Sequence, residues 1–243
     1  MASAMKTRPW LTGLISAAFF LGVVGASADD HRGAESKLSD QDFYRAVACG
    51  ADPGGPCTTP IVKWPKDQRH TLQIFIHEPP ASFVKDKAKA VIAAVRLAAT
   101  EVNISGADIQ LEVVNTPTAP LHVYMLDAGW GDRITDSGDP ILDGAKMRAT
   151  ASAIQVEAGT DTIERASIAV SDTVAFDIIR AAVLKAILKA LGFQVAIDDP
   201  HYTGNSVFAA LGHDVYAIRR QDMLALRMHY PTGCEKASEC LDR

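Results

Sequence analysis

Residues 185–195 read KAILKALGFQV, and this stretch is the most informative part of the sequence about the fold. It closes an apolar run over residues 174–191 that predicts a long helix, because apolar side chains recur along it every three or four residues. Gly192 follows at the position where a left-handed residue commonly ends a helix. One face of this helix is expected to lie in the core, namely Phe176, Ile179, Val183, Ile187 and Leu191.

The pattern on either side of this helix predicts an α+β domain. A mixed sheet is expected, backed by this helix and by an earlier one at residues 82–102. No repeating unit of strand, helix and strand runs along the chain, which argues against a doubly wound fold. The remaining elements follow from alternation, turn residues and helix stops: strands at 71–77, 108–114 and 121–126, a polar loop at 127–144, a hairpin at 153–156 and 166–170, and a last helix at 218–229.

The first 28 residues are predicted to be an export signal. Lys6 and Arg8 precede an apolar run at residues 11–24, and Ala26-Ser27-Ala28 forms a small-residue cleavage site. This run is shorter than the about 20 apolar residues that span a membrane. We therefore expect a periplasmic or secreted protein, with no stable membrane insertion after cleavage.

The charge of the chain limits its partners. The 243 residues include 24 basic and 29 acidic ones, for a formal charge of −5. Loss of Lys6 and Arg8 with the signal leaves 22 basic residues against 29 acidic ones, so the charge moves to −7. An acidic protein is repelled by phosphate backbones, and nucleic acid is therefore not expected as a partner.

Four cysteines form two close pairs, Cys49 with Cys57 and Cys234 with Cys240. An oxidising compartment makes disulfides the expected state. Four cysteines allow three pairings; the two local pairings are favoured, and a link between the chain's two ends stays open. A four-cysteine zinc site lacks its C-x-x-C spacing. We predict an irregular disulfide-held lead-in at 29–60, a packed domain at 61–231 and a disulfide-closed tail at 232–243.

The frame of residues 185–195 resembles the active-site helix of metzincin-type zinc peptidases. In that family two histidines four residues apart grip the zinc, a glutamate follows the first, and a third histidine stands three residues beyond a glycine. The positions align without a gap: Lys185 and Lys189 stand at the two helical histidines, Ala186 at the glutamate, Gly192 at the glycine, Val195 at the third histidine, and Phe208 at the methionine of the turn below the metal.

A closer resemblance is to the bacterial family called domain of unknown function 2927, which is itself zincin-like. The match covers roughly residues 166–231 in ordered segments. This resemblance implies a zincin-like α+β fold for the domain at 61–231. The residues that carry it are Arg180, the Ala-Leu-Gly-Phe helix exit at 190–193, Asp198 or Asp199, Ser206-Val207-Phe208, and Asp222, Leu226, Arg227 and Tyr230.

The residue types at the zinc positions lack the chemistry of the family. A charged lysine has donors but no lone pair, so Lys185 and Lys189 would repel a dication. Ala186 cannot act as a general base, and Val195 cannot bind metal. The resemblance thus implies a pseudo-metallopeptidase without a cofactor, a degenerate enzyme that acts by binding.

Two ligand classes suit such a binding protein, and two other hypotheses stay open. An edge strand at 153–156 could take an extended polypeptide by strand addition. Lys185 and Lys189, four residues apart on one helix face, could instead bind a small anion. The other hypotheses are a structural envelope protein and a hydrolase whose zinc is bound in the 198–213 loop by Asp198, Asp199, His201 and His213. His77 and His122 are expected to make ordinary strand hydrogen bonds.

Overall fold

The computed structural model describes residues 31–32, 37–211 and 214–233. The predicted signal at 1–28, the cysteine pair Cys234 and Cys240 with its closure of the tail, and His213 lie outside these residues. The elements, in chain order, are β1 (His31–Arg32), α1 (Asp40–Cys49), α2 (Lys66–Arg69), β2 (Leu72–Ile76), α3 (Lys85–Asn103), β3 (Leu111–Val114), β4 (Leu121–Leu126), β5 (Thr150–Val156), β6 (Ile163–Ser171), a 3-10 turn (Phe176–Ile178), α4 (Ile179–Ala190), β7 (Ala196–Ile197) and α5 (Arg220–His229).

A five-stranded mixed sheet forms the centre of the domain, in the order β3-β2-β4-β6-β5. The strands β3, β2, β4 and β6 are parallel, and β5 is antiparallel to β6. The pairing of β4 with β6 runs from Leu121 opposite Ala166 to Leu126 opposite Ser171. A separate parallel pair joins β1 to β7. The predicted α+β class and mixed sheet are confirmed, and β5 is an outermost strand.

The two faces of the sheet differ because side chains alternate along each strand. On β4, Leu121 and Val123 belong to the main core, whereas Tyr124 belongs to a smaller cluster on the opposite face. The helices α3 and α4 pack against each other and contribute to the main core, and α4 also contacts β5 and β6. The loop at residues 127–149 covers the opposite face through Ile134, Ile141, Leu142 and Met147.

The predicted helix at 174–191 begins later than the sequence indicates. A 3-10 turn precedes α4, and Phe176 in that turn is 56% exposed, so the prediction that Phe176 lies in the core is wrong. A 3-10 turn has about three residues per turn, so its side chains do not continue the stripe of the α-helix that follows. The rest of the predicted face is buried: Ile179, Val183, Ile187 and Leu191.

The lead-in at 29–60 is not irregular throughout, because α1 lies within it. Ser39 accepts a hydrogen bond from the backbone N–H of Asp42 at the start of α1, and Gly50 ends the helix with a φ of 68°. Phe43 and Val47 are fully buried in the main core. Their spacing of four residues places both on one helix face, and the hydrophobic core therefore begins before residue 61.

The disulfide predicted between Cys49 and Cys57 is present, with the two Cα atoms 5.2 Å apart. It joins the end of α1 to the loop that follows, and the hydroxyl of Thr58 donates to the Cys49 carbonyl at 3.0 Å in the same place. Among the described helices, none combines the length and the apolar character that crossing a membrane requires.

Candidate functional site

The apolar residues at the zinc-site positions are buried. Ala186 and Phe208 belong to the main core, and Val195 is only 4% exposed. None of these side chains carries a lone pair that a metal could use. Within the described residues, no group of three or more His, Cys, Asp or Glu could hold a metal ion.

The two lysines of the frame are half-buried on α4. The Lys185 ammonium donates to the backbone carbonyl of Ala209, with Nζ 2.6 Å from the oxygen. At Lys189 the backbone carbonyl accepts from the side-chain amide of Gln194 at 2.8 Å and from the N–H of Gly192 at 3.0 Å. An anion at this lysine pair would have to compete with the Ala209 carbonyl.

Phe208 stands where the family has its methionine. Its ring packs against Phe193, with ring centroids 4.9 Å apart, and against Phe43 on α1, with centroids 6.0 Å apart. Aromatic pairs at these separations stabilise a core beyond the area that they bury. The segment around Phe208 is therefore part of an aromatic core.

Gly192 is required by close packing at the exit of α4. It has a φ of 103°, and a Cβ added there would lie 2.2 Å from the carbonyl oxygen of Val62 and 2.8 Å from Nε2 of His229. His229 is fully buried and its Nε2 lies 3.1 Å from the same carbonyl, and burial lowers the pKa of His229 well below its ordinary value. The Tyr230 hydroxyl donates to the Leu191 carbonyl at 2.8 Å. Only glycine fits this position.

Two of the segments that carry the family resemblance meet in space. The Ser206 hydroxyl donates to Asp222 Oδ1 at 2.6 Å, and the Val207 N–H donates to Asp222 Oδ2 at 3.0 Å. Burial raises the pKa of Asp222 to about 6, against the lowering effect of these two hydrogen bonds. Asp222 thereby fixes the turn before Phe208 to α5.

The described members of the predicted metal loop do not form a ligand set. Asp198 and His201 are exposed, whereas Asp199 is buried. Asp199 Oδ1 accepts from the backbone N–H of His201 at 2.6 Å, and Asp199 Oδ2 is buried without a hydrogen-bond partner. A buried carboxylate oxygen without a partner is unusual in proteins.

The outer edge of β5 offers backbone groups for a further strand. Within the described residues, β6 is the only strand paired with β5. The N–H of Ser171 donates to the carbonyl of Ala149 at 3.1 Å. Because hydrogen-bonded and non-hydrogen-bonded pairs alternate along antiparallel strands, the N–H and C=O of Thr150, Ser152 and Ile154 point away from β6. They belong to the edge strand to which strand addition would add, and Ser152 and Ile154 themselves are buried, at 9% and 3% exposed.

A polar cluster that the sequence did not predict lies on the opposite face of the sheet and centres on Asp139. Asp139 is fully buried, and its Oδ2 accepts from the Arg165 guanidinium at 2.8 Å and from the Ser167 hydroxyl. The Ile141 N–H donates to Oδ1 at 3.2 Å, and burial together with the nearby Asp139 charge raises the pKa of Tyr124 to about 12. This Asp139 cluster fixes the loop after β4 to the sheet. In the sequence, the polar residues Arg165 and Ser167, two positions apart in a strand, were the signal that pointed to a polar cluster on one face of the sheet.

His77 and His122 lie on the same face and hydrogen-bond each other, with Nε2 of His77 2.9 Å from Nδ1 of His122. The prediction that both make ordinary hydrogen bonds is confirmed; His122 lies in β4 as expected, whereas His77 directly follows the end of β2. The His77 ring stacks on Tyr124 with centroids 3.9 Å apart. Burial lowers the pKa of both histidines, and the neighbouring His122 lowers that of His77 further.

Comparison with known proteins adds no family to this description. No protein-family model matches the chain, and no curated protein matches it. The function is therefore argued from the groups described above: the zinc-site positions on α4, the open edge of β5 and the Asp139 cluster.

Proposed function

We propose that this protein is an exported, zincin-like pseudo-metallopeptidase that acts by binding and holds an extended polypeptide along β5. The open edge of β5, beside a helix without metal-binding side chains, carries this proposal. Export to the periplasm or beyond is supported by the predicted signal at 1–28 and by the Cys49–Cys57 disulfide, because disulfides persist in oxidising compartments.

The residues at the zinc positions support a role without catalysis. Hydrolysis by this family requires a metal that activates water and a carboxylate that takes a proton. Ala186 and Val195 supply neither group, and the Lys185 ammonium donates to a backbone carbonyl. A polypeptide bound nearby would therefore be retained and not cut.

The surroundings of β5 determine how a bound strand would be recognised. Ile154 faces the main core on the side of α4, whereas Ala151 and Ala153 face the cluster under the loop at 127–149. An added strand would place alternate side chains toward these two sides. Backbone hydrogen bonds would supply the affinity, and side-chain contacts on the two faces of the sheet would supply the selectivity.

The test uses a proline that removes an outward N–H from the edge. Ser152→Pro deletes one donor of the open edge and no bond to β6, and edge strands tolerate proline at such positions. The probe is an array of ten-residue peptides with alternating apolar and polar residues. We expect peptides that bind the wild type to lose binding to Ser152→Pro, and we expect bound peptide to slow amide exchange at Thr150, Ser152 and Ile154.

The matched control is Ser152→Ala, which keeps the backbone N–H and should bind as the wild type does. If Ser152→Pro lowers the melting temperature sharply, Thr150→Pro at the first residue of the strand replaces it. The proposal fails if no peptide binds, which a structural envelope protein would predict, or if binding survives the proline variants.

A metal-dependent hydrolase that uses the 198–213 loop is the competing proposal, and the buried, unpartnered Oδ2 of Asp199 favours it. Elemental analysis of the protein exported with its own signal, purified without a metal column, separates the two. Near-stoichiometric zinc that is lost in Asp199→Asn would establish the hydrolase alternative. Absence of metal would leave the binding proposal.

A further inference from the structure

A cationic depression lies between the segment after β7 and the start of α5. It has a cavity volume of about 210 Å³, and a neighbouring depression of about 230 Å³ shares Asn205, Arg219 and Arg220 with it. Lys37 and His201 line its other side. Its volume is below the range that holds drug-sized ligands, so its occupant is small.

Lys37, Arg219 and Arg220 supply the positive charge of this cationic depression. Lys37, Arg219 and Arg220 are exposed, and none of them forms an ion pair with another described residue. Two carboxylates border the two depressions: Asp222, which is 1% exposed and has both oxygens bonded to Ser206 and Val207, lines this one, and the exposed Asp214 lines the neighbouring one. Three exposed cations that have no ion pair within the described residues thus gather in a chain whose formal charge is −5.

The backbone at Arg220 is strained. Arg220 has a φ of 48°, in the left-handed region that a residue with a Cβ seldom adopts. Strained residues of this kind concentrate at ligand-binding positions, where the surrounding structure holds them. A glycine would adopt this conformation without strain, yet the position carries a guanidinium that lines the depression.

We propose that the cationic depression binds the phosphate group of a small molecule, as the free ion or as a phosphate monoester. Guanidinium groups match phosphate because each can donate two parallel hydrogen bonds, and Arg219 and Arg220 both line the depression. The Lys37 ammonium adds a third positive charge. This site is separate from the β5 edge, so its existence does not depend on polypeptide binding.

Isothermal titration with inorganic phosphate and with glycerol 3-phosphate, at constant ionic strength set by sodium chloride, tests the proposal. We expect one saturable site per chain. The double variant Arg219→Gln with Arg220→Gly should weaken binding at least about tenfold, since each lost charged hydrogen bond contributes that much. Arg96→Gln removes the same kind of charge from an exposed position on α3 and should change the affinity less than about twofold.

The outcomes separate a built site from general charge attraction. Arg220→Gly relieves a left-handed residue, so the double variant should melt no lower than the wild type. If it does melt lower, Lys37→Gln, which lies outside α5, takes its place. Tighter binding of glycerol 3-phosphate would identify a monoester as the ligand, and equal binding would identify free phosphate. Absence of saturable binding to either probe, or equal weakening by Arg96→Gln, would overturn the proposal.

Discussion

The two faces of the sheet differ in polarity, and the face with the buried polar cluster is not the face that the sequence motif marks. On the face backed by α4, the positions that resemble a zinc site are buried and apolar at Ala186 and Val195. On the opposite face, Asp139, Arg165 and Ser167 form a dense polar cluster that no motif marks. A spacing pattern therefore indicates a structural frame, whereas the chemistry of a site depends on the residue types within that frame.

The residues that carry the resemblance make packing contacts in this fold. Gly192 fits beneath the Val62 carbonyl, and Asp222 fixes the turn before Phe208. Tyr230 bonds to the end of α4 and accepts the Trp64 N–H at 3.3 Å. These residues connect elements that are distant in sequence, so changes at them should affect stability before they affect binding.

The largest effect is expected from Gly192→Ala, which tests the structural role of the frame. The added Cβ would lie 2.2 Å from a backbone carbonyl that cannot rotate away, and alanine would have to adopt a φ of 103°. Overpacking and left-handed strain together should lower the free energy of unfolding by about 3 to 5 kcal/mol, measured by urea denaturation.

Gly159→Ala is the matched control, because Gly159 has a φ of 78° and a Cβ there would meet nothing within 4 Å. Gly159→Ala puts alanine in the left-handed region but creates no steric clash, so it should lower the free energy of unfolding by only about 1 kcal/mol. Equal losses in the two variants would mean that the Val62 carbonyl imposes no constraint, and the frame would then have no packing role at this position.

Much of the fold follows from the sequence, and particular residues explain the exceptions. Leu121–Leu126 alternates clearly enough to fix β4 at its observed bounds. The helix α1 is missed because its ten residues follow a polar lead-in and precede a turn-rich segment. Asp139 could not be singled out among the acidic residues of its loop, since its partners Arg165 and Ser167 are more than twenty residues away. The orientation of backbone groups on β5 likewise depends on pairing with β6.

The next effect concerns the opposite face, where Asp139→Ala should destabilise the protein by about 3 kcal/mol. This substitution removes the acceptor shared by Arg165 and Ser167 and leaves both donors beside buried apolar surface. Urea denaturation gives the loss, and proteolysis of the loop at 127–149 should become faster. Asp143→Ala in the same loop removes an exposed acceptor of Ser137 and should cost less than about 1 kcal/mol. A loss at Asp139 no larger than at Asp143 would contradict the role of the cluster.

The smallest expected effect is a pH-dependent change in stability at Asp222. Burial raises the folded pKa of Asp222 from 3.8 to about 6, so the folded protein keeps this proton more tightly than the unfolded chain. The contribution of Asp222 to the free energy of unfolding is therefore fully present below about pH 4 and is lost as the pH rises toward 6. Asp222→Asn can still accept from Val207 and can donate to Ser206. It should be more stable than the wild type by about 2 kcal/mol at pH 8 and equally stable near pH 4.

The difference between wild type and Asp222→Asn, taken at each pH by urea denaturation, isolates the carboxylate. Burial lowers the pKa of His229 in the folded protein. The stability that neutral His229 contributes is therefore lost as the pH falls below 6.5, its pKa in the unfolded chain, which is opposite to the pH dependence from Asp222. That contribution is common to both proteins and drops out of the difference. A difference that does not change between pH 4 and pH 8 would mean that the two hydrogen bonds to Asp222 outweigh its desolvation. Ser206, Val207 and Asp222 would then form a charged clamp, and the helix-backed face would hold a buried ion as the opposite face does at Asp139.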